Sequence, residues 1–127
     1  MDYQQCIQNS RGEFGWAKPA YVHLETVWIS DRTVCYLASG KPAIVQDMGR
    51  SRFLPNDAGL FRFRTFEEAA NCLNSAAADH ERHCKLASAL AEEYFDASEL
   101  VRRMFECALW EEEMLSPLNR TDHLLIR

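Results

Sequence analysis

The chain has 127 residues, a formal net charge of −5 at pH 7, 47% hydrophobic residues and 26% charged ones. These are globular proportions that suit one domain over 1–127 with a single core, and they leave no basic face for nucleic acid. No apolar run reaches the ~20 residues of a membrane span. The opening MDYQQCIQNS has neither the basic flank nor the apolar centre of a signal peptide, so a cytoplasmic protein is expected.

In chain order, Asp2 to Ser10 reads as a short helix with Asp2 as cap and Ile7 inward. Gly12 to Ala17 sets Phe14 and Trp16 against small residues, the alternation of a strand, and Lys18-Pro19 is expected to break it. Tyr21 to Ile29 is rich in β-formers and reads equally as a strand or as a loop.

Ser30 to Gly49 is the most informative stretch. Ser30 or Asp31 caps a helix whose apolar positions Val34, Leu37 and Ala38 share one face. Gly40 supplies the left-handed stop and Pro42 prevents resumption. Ala43-Ile44-Val45 then has the pattern of a parallel strand covered on both faces. Asp47 and Gly49 turn the chain at that strand's carboxyl end, where open α/β sheets place ligands.

Met48 to Gly59 is a polar loop carrying Arg50 and Arg52, and Leu60 to Phe63 is a second strand. Thr65 and Glu68 form a capping box for a helix with Phe66, Ala69, Ala70, Leu73 and Ala77 facing inward. A further helix reaches Tyr94 with Ala87, Leu90 and Ala91 inward. A last one, capped by Asp96, carries the stripe Leu100, Val101, Met104, Phe105, Ala108 and Leu109. Glu111 to Glu113 oppose its dipole, Pro117 ends it, and 116–127 is a tail. Alternating strand and helix followed by a helical run predicts an α/β fold with a small parallel sheet.

The segments GEFGWAK (Gly12 to Lys18), SDR (Ser30 to Arg32), YLASGKP (Tyr36 to Pro42), VQDMG (Val45 to Gly49), RFLP (Arg52 to Pro55), GLFRF (Gly59 to Phe63) and AEEYFD (Ala91 to Asp96) carry a resemblance. In this order they resemble the carboxyl-terminal lobe of two-lobed, GT-B type bacterial glycosyltransferases that use nucleotide sugars. The resemblance implies a partial Rossmann-like half-lobe with helices following it. It also implies that the acceptor lobe and the catalytic base belong to sequence preceding this region, so this chain alone is not expected to transfer sugar.

The same resemblance places a nucleotide diphosphate sugar at the amino end of the Ser30–Ala38 helix. Ser30, Asp31, Arg32 and Thr33 would meet the diphosphate there, because such an end offers free N–H donors and Arg32 a charge-assisted contact. Many of these enzymes bind the ribose with a glutamate where this chain has Cys35, and a second acidic position falls near Val27, with Glu25 close by. Asp31 and Glu13 would take over that work, with Asp47 at the strand end. The competing expectation is that Ser30 and Asp31 only cap and Arg32 is solvated, the scaffold serving as a non-catalytic interaction module.

Cys35, Cys72 and Cys107 sit among apolar neighbours and are expected to be reduced and buried; no CxxC occurs among the five cysteines. His80, His83 and Cys84 share one helical face at metal-ligand spacing, but the polar DHERHCK context favours a solvated face. No metal or cofactor is expected. A half-sheet exposes an edge, so a homo-oligomer or a partner chain is predicted.

Overall fold

The structure is a computed structural model that describes residues 2–49, 51, 54–56 and 58–115, with side chains through Leu109. Two compact units divide the chain after Phe95. The first is α/β and holds a three-stranded sheet of β1 (Glu13–Gly15), β2 (Ala43–Gln46) and β3 (Leu60–Phe63), in that spatial order. Both pairings are parallel; Glu13 lies beside Ala43, and Ala43 beside Leu60. Parallel neighbours need crossovers. The first runs through α2 (Pro19–His23) and α3 (Asp31–Ala38), the second through the segment 47–59.

Local signals set the ends of these elements. Asp2 and Gln5 form a capping box for α1 (Tyr3–Asn9), and Ile7 is buried, as expected. Gly40 adopts φ +66° after α3. Its N–H donates to the Leu37 carbonyl and the Lys41 N–H to that of Tyr36, a Schellman closure. Thr65 and Glu68 cap α4 (Phe66–Ala78) reciprocally.

β2 and β3 are covered on both faces. On one, Leu37 of α3 packs with Ala43, Leu60 and the α5 (His80–Phe95) residues Ala87, Leu90 and Ala91. On the other, Ala69 and Ala76 of α4 pack with Ile44, Phe61 and Phe63. Period-2 alternation along β2 and β3 sends Ala43 and Leu60 one way and Ile44 and Phe61 the other.

Several helix faces differ from the sequence expectation. On α4 the inward residues are Ala69 and Ala76, with Cys72 half-buried, whereas Phe66 and Leu73 stand outward at 85% and 45% exposure. The large aromatics of this layer come from the strands, so the helix contributes small side chains and packs close. On α3 the buried pair is Thr33 and Leu37; Val34 is half-buried and Ala38 exposed. Tyr21 to Ile29 is not a strand. Pro19, at the first helical position, starts α2 instead of only breaking β1, and 24–30 is irregular.

The cysteines also depart from expectation. Cys35 and Cys107 are exposed, and Cys72 and Cys84 lie at intermediate depth. The DHERHCK face is only partly solvated. His83 is buried edge-on against Phe61, at 4.8 Å between ring centroids, while Glu81 and Lys85 pair in solvent.

The second unit contains α6 (Ala97–Leu115), whose first turn is capped by Asp96 Oδ1 accepting from the Glu99 N–H at 2.9 Å. Glu99 pairs with Arg102 and Arg103, and Arg102 also with Glu106. Leu100, Val101, Met104, Phe105 and Leu109 are exposed. No described helix is long and apolar enough to cross a membrane. The expected tail at 116–127, the stop at Pro117, and Arg50 and Arg52 lie outside the described residues.

Candidate functional site

A shallow hollow of about 50 Å³ opens beside the carboxyl ends of β1 and β2, where α3 begins. Glu13, Trp16, Trp28, Ser30, Arg32 and Thr33 are among the residues on its wall. Ser30 Oγ accepts from the Thr33 N–H at 3.3 Å, and the Ser30 carbonyl accepts from Val34. The N–H groups of Asp31 and Arg32 have no acceptor among the described residues, the ordinary state of a helix's first turn. They supply two donors and a partial positive charge at one rim.

Glu13 is the unusual member. Its side chain is only 3% exposed, and Oε1 accepts from Arg32 Nε at 2.6 Å. Oε2 is buried with no partner among the described residues. A Cβ placed on Gly15 would lie 3.3 Å from Glu13 Oε1 and 3.4 Å from Arg32 Nη2. The carboxylate is therefore turned along β1 toward Gly15 and Arg32, both on the hollow's wall. That hydrogen bond and the adjacent negative charge raise the Arg32 pKa above its ordinary value.

The structure brings together Glu13, Ser30, Arg32 and Thr33, although the Thr33 side chain is itself buried. Asp31 is exposed and lies off the wall. Asp47 is committed elsewhere: one carboxylate oxygen accepts from the Gly49 N–H at 3.0 Å and the other from Arg64 Nε at 2.7 Å. Trp16, expected only as a strand residue, also lines the hollow, as do Trp28 and Gln46. Gln46 Oε1 accepts from the Ala17 N–H at 3.1 Å and ties the end of β1 to β2. Two tryptophans ahead of the polar SDR segment, Trp28 only two residues before it, were the available signal.

A larger apolar hollow of about 240 Å³ lies between β1, β2 and α4, with Phe14, Ile44, Leu73 and His80 on its wall. His80 Nε2 meets the Arg11 carbonyl at 2.7 Å, and the Cys84 thiol approaches His80 Nδ1 at 3.7 Å. Among the described residues no group of three His, Cys, Asp or Glu side chains is arranged to hold a metal ion.

No family model, curated protein or solved structure matches this chain.

Proposed function

We propose that the chain is a glycosyltransferase-like carboxyl-terminal half-lobe that presents part of a nucleotide-sugar site and is not catalytic alone. One observation carries this reading. The capped start of α3, the Arg32 guanidinium and a buried carboxylate converge at the carboxyl edge of a parallel sheet, where α/β folds bind anionic ligands. The free N–H groups and the outer guanidinium nitrogens would take a diphosphate, and Glu13 would accept from a ligand hydroxyl.

The hollow admits a group of phosphate size, well below the ~300–1,000 Å³ of a complete small-molecule site. The rest of the ligand would therefore lie against another surface. Calorimetry with uridine, guanosine and thymidine diphosphates and their sugars tests the reading. Binding weakened by Arg32→Ala supports it, with Asp31→Ala probing the rim. Absence of binding to every one of these ligands removes it.

A second reading, a non-catalytic interaction module, is favoured by the exposure of Phe66, Leu73 and the apolar residues of α6. β1 is also an edge strand, while on β3 the Arg62 N–H is already taken by Asn56 Oδ1. Light scattering at micromolar concentration tests this reading. A stable homo-oligomer supports it, and a well-behaved monomer counts against it.

A further inference from the structure

We propose that β1 is a dimerisation edge on which a second copy of this chain pairs antiparallel, each copy setting Trp16 into the apolar hollow of the other. The inference rests on the interaction-module reading and names the surface and the partner that reading leaves open.

β1 ends the sheet. Glu13 donates its N–H to the Pro42 carbonyl at 2.9 Å and lies beside Ala43. Alternate residues of a paired strand turn to its neighbour, so Phe14 turns its own N–H and carbonyl outward. On the sheet's other edge the Arg62 N–H is taken by Asn56 Oδ1 at 3.1 Å, which leaves β1 as the open side. The α4 face of β1 is also bare. α4 packs on β3 and β2, and on that face Phe14 stacks on Phe63 at 5.3 Å while Trp16 tilts against the same ring at 5.6 Å. Phe14 and Trp16 remain 50% and 67% exposed. Gly12, two residues before Phe14, borders the hollow of about 240 Å³, with Leu73 and Ala77 on its wall.

A second copy is the occupant because this surface is complementary to itself. A two-fold axis at Phe14 lets two β1 strands exchange the Phe14 N–H and carbonyl bonds. The same register sets Trp16 of each copy opposite Gly12 of the other, on the face that Phe14 occupies. The protruding indole then lies over a residue without a side chain, at the hollow, as aromatic residues cover glycine in other sheets. Knob and hole sit two residues to either side of the axis, so both contacts form together and the pair closes. At their exposures the two rings leave roughly 250 Å² per copy to cover. With the hollow's wall the dimer buries about 1,000 Å², the lower limit for a specific interface, so it is a weak one.

The test is sedimentation equilibrium of the full chain and two variants. Trp16→Ala removes the knob; Ala77→Gln sets an amide in the hollow from an exposed position of α4. The native chain should dimerise with a Kd of about 1–100 μM. Each variant alone should associate at least about tenfold more weakly, the loss of a tryptophan anchor. A mixture of the two regains one complete contact, the indole of the Ala77→Gln copy in the open hollow of the Trp16→Ala copy. The mixed pair should therefore form more tightly than either variant with itself, which a folding defect does not produce. Dimers of native strength in both variants would overturn the β1 interface and leave the interaction module standing. Weakening without recovery in the mixture would overturn the knob-and-hole contact, and oligomers larger than a dimer would overturn the two-fold. A native chain that stays monomeric up to about 100 μM would remove the interface and the module reading together.

Discussion

Arg32 donates from Nε to Oε1 of Glu13 across 2.6 Å, and the two partners sit in different surroundings: the carboxylate is 3% exposed and the arginine side chain 52%. Such a pair is asymmetric in its consequences. Losing the arginine strands a buried charge, whereas losing the carboxylate returns a guanidinium to water. Arg32→Ala is therefore expected to destabilise the chain by about 1–3 kcal/mol, below the range for fully buried pairs because one partner is wet. Adding Glu13→Gln to Arg32→Ala should recover part of that loss, and a urea-unfolding double-mutant cycle measures the coupling.

Gly59 precedes β3 with φ +83°, and a Cβ there would lie 2.4 Å from the Ala87 nitrogen and 2.6 Å from its Cα. Those atoms are α5 backbone and cannot swing aside. Gly59→Ala should cost more than about 3 kcal/mol, combining overpacking with left-handed strain. Gly15→Ala is the control. Its added methyl would meet side-chain atoms at 3.3 to 3.4 Å, and its φ is unremarkable. That change should stay within about 1 kcal/mol, and thermal melts of the two variants should separate clearly.

Phe63 and Phe66 lie three residues apart and make opposite predictions. Phe63 is 1% exposed and has Phe14 stacked against it at 5.3 Å; Phe66 is 85% exposed at the first position of α4. Phe63→Ala should cost about 3–5 kcal/mol, and Phe66→Ala less than about 0.5 kcal/mol. Chemical denaturation of each variant gives both values. A comparable loss for Phe66 would mean that its ring is covered in solution, which would support the interaction-module reading.

That contrast marks how much was legible beforehand. Capping and turn signals are local, and Ser30, Gly40, Thr65 and Asp96 act as their short-range chemistry requires. The β2 run and the parallel sheet also followed from pattern. Which side of α4 faces the sheet followed only in part: of the expected stripe Phe66, Ala69, Ala70, Leu73 and Ala77, Ala69 is buried, whereas Phe66, Leu73 and Ala77 are exposed. The decision belonged to Phe61 and Phe63, whose rings occupy the space that larger helix residues would need. At the site, α3's start and Arg32 were readable, whereas the burial of Glu13 depended on β1 lying beside β2. Asp47 looked available until Arg64, distant in sequence, claimed it.

Glu99 gives a pH prediction confined to α6. Hydrogen bonds from Arg102 and then Arg103 hold its carboxyl at about 2, below the ordinary 4.5. A carboxyl whose folded pKa is depressed stabilises the helix above its ordinary value, and that contribution fades as pH falls toward the folded value. The window therefore runs from about 4.5 down to about 2, and both arginines stay charged throughout. Far-UV circular dichroism of the full chain should show more helix in the native protein than in Glu99→Gln at about pH 6. The two curves should converge near the lower limit of the window, since protonation does chemically what the substitution does genetically. Molar salt should shrink the difference at the upper limit, because these groups lie in solvent. A gap that persisted unchanged in strong acid would mean that Glu99 acts through packing, and its ion pairs with Arg102 and Arg103 would carry no stabilisation.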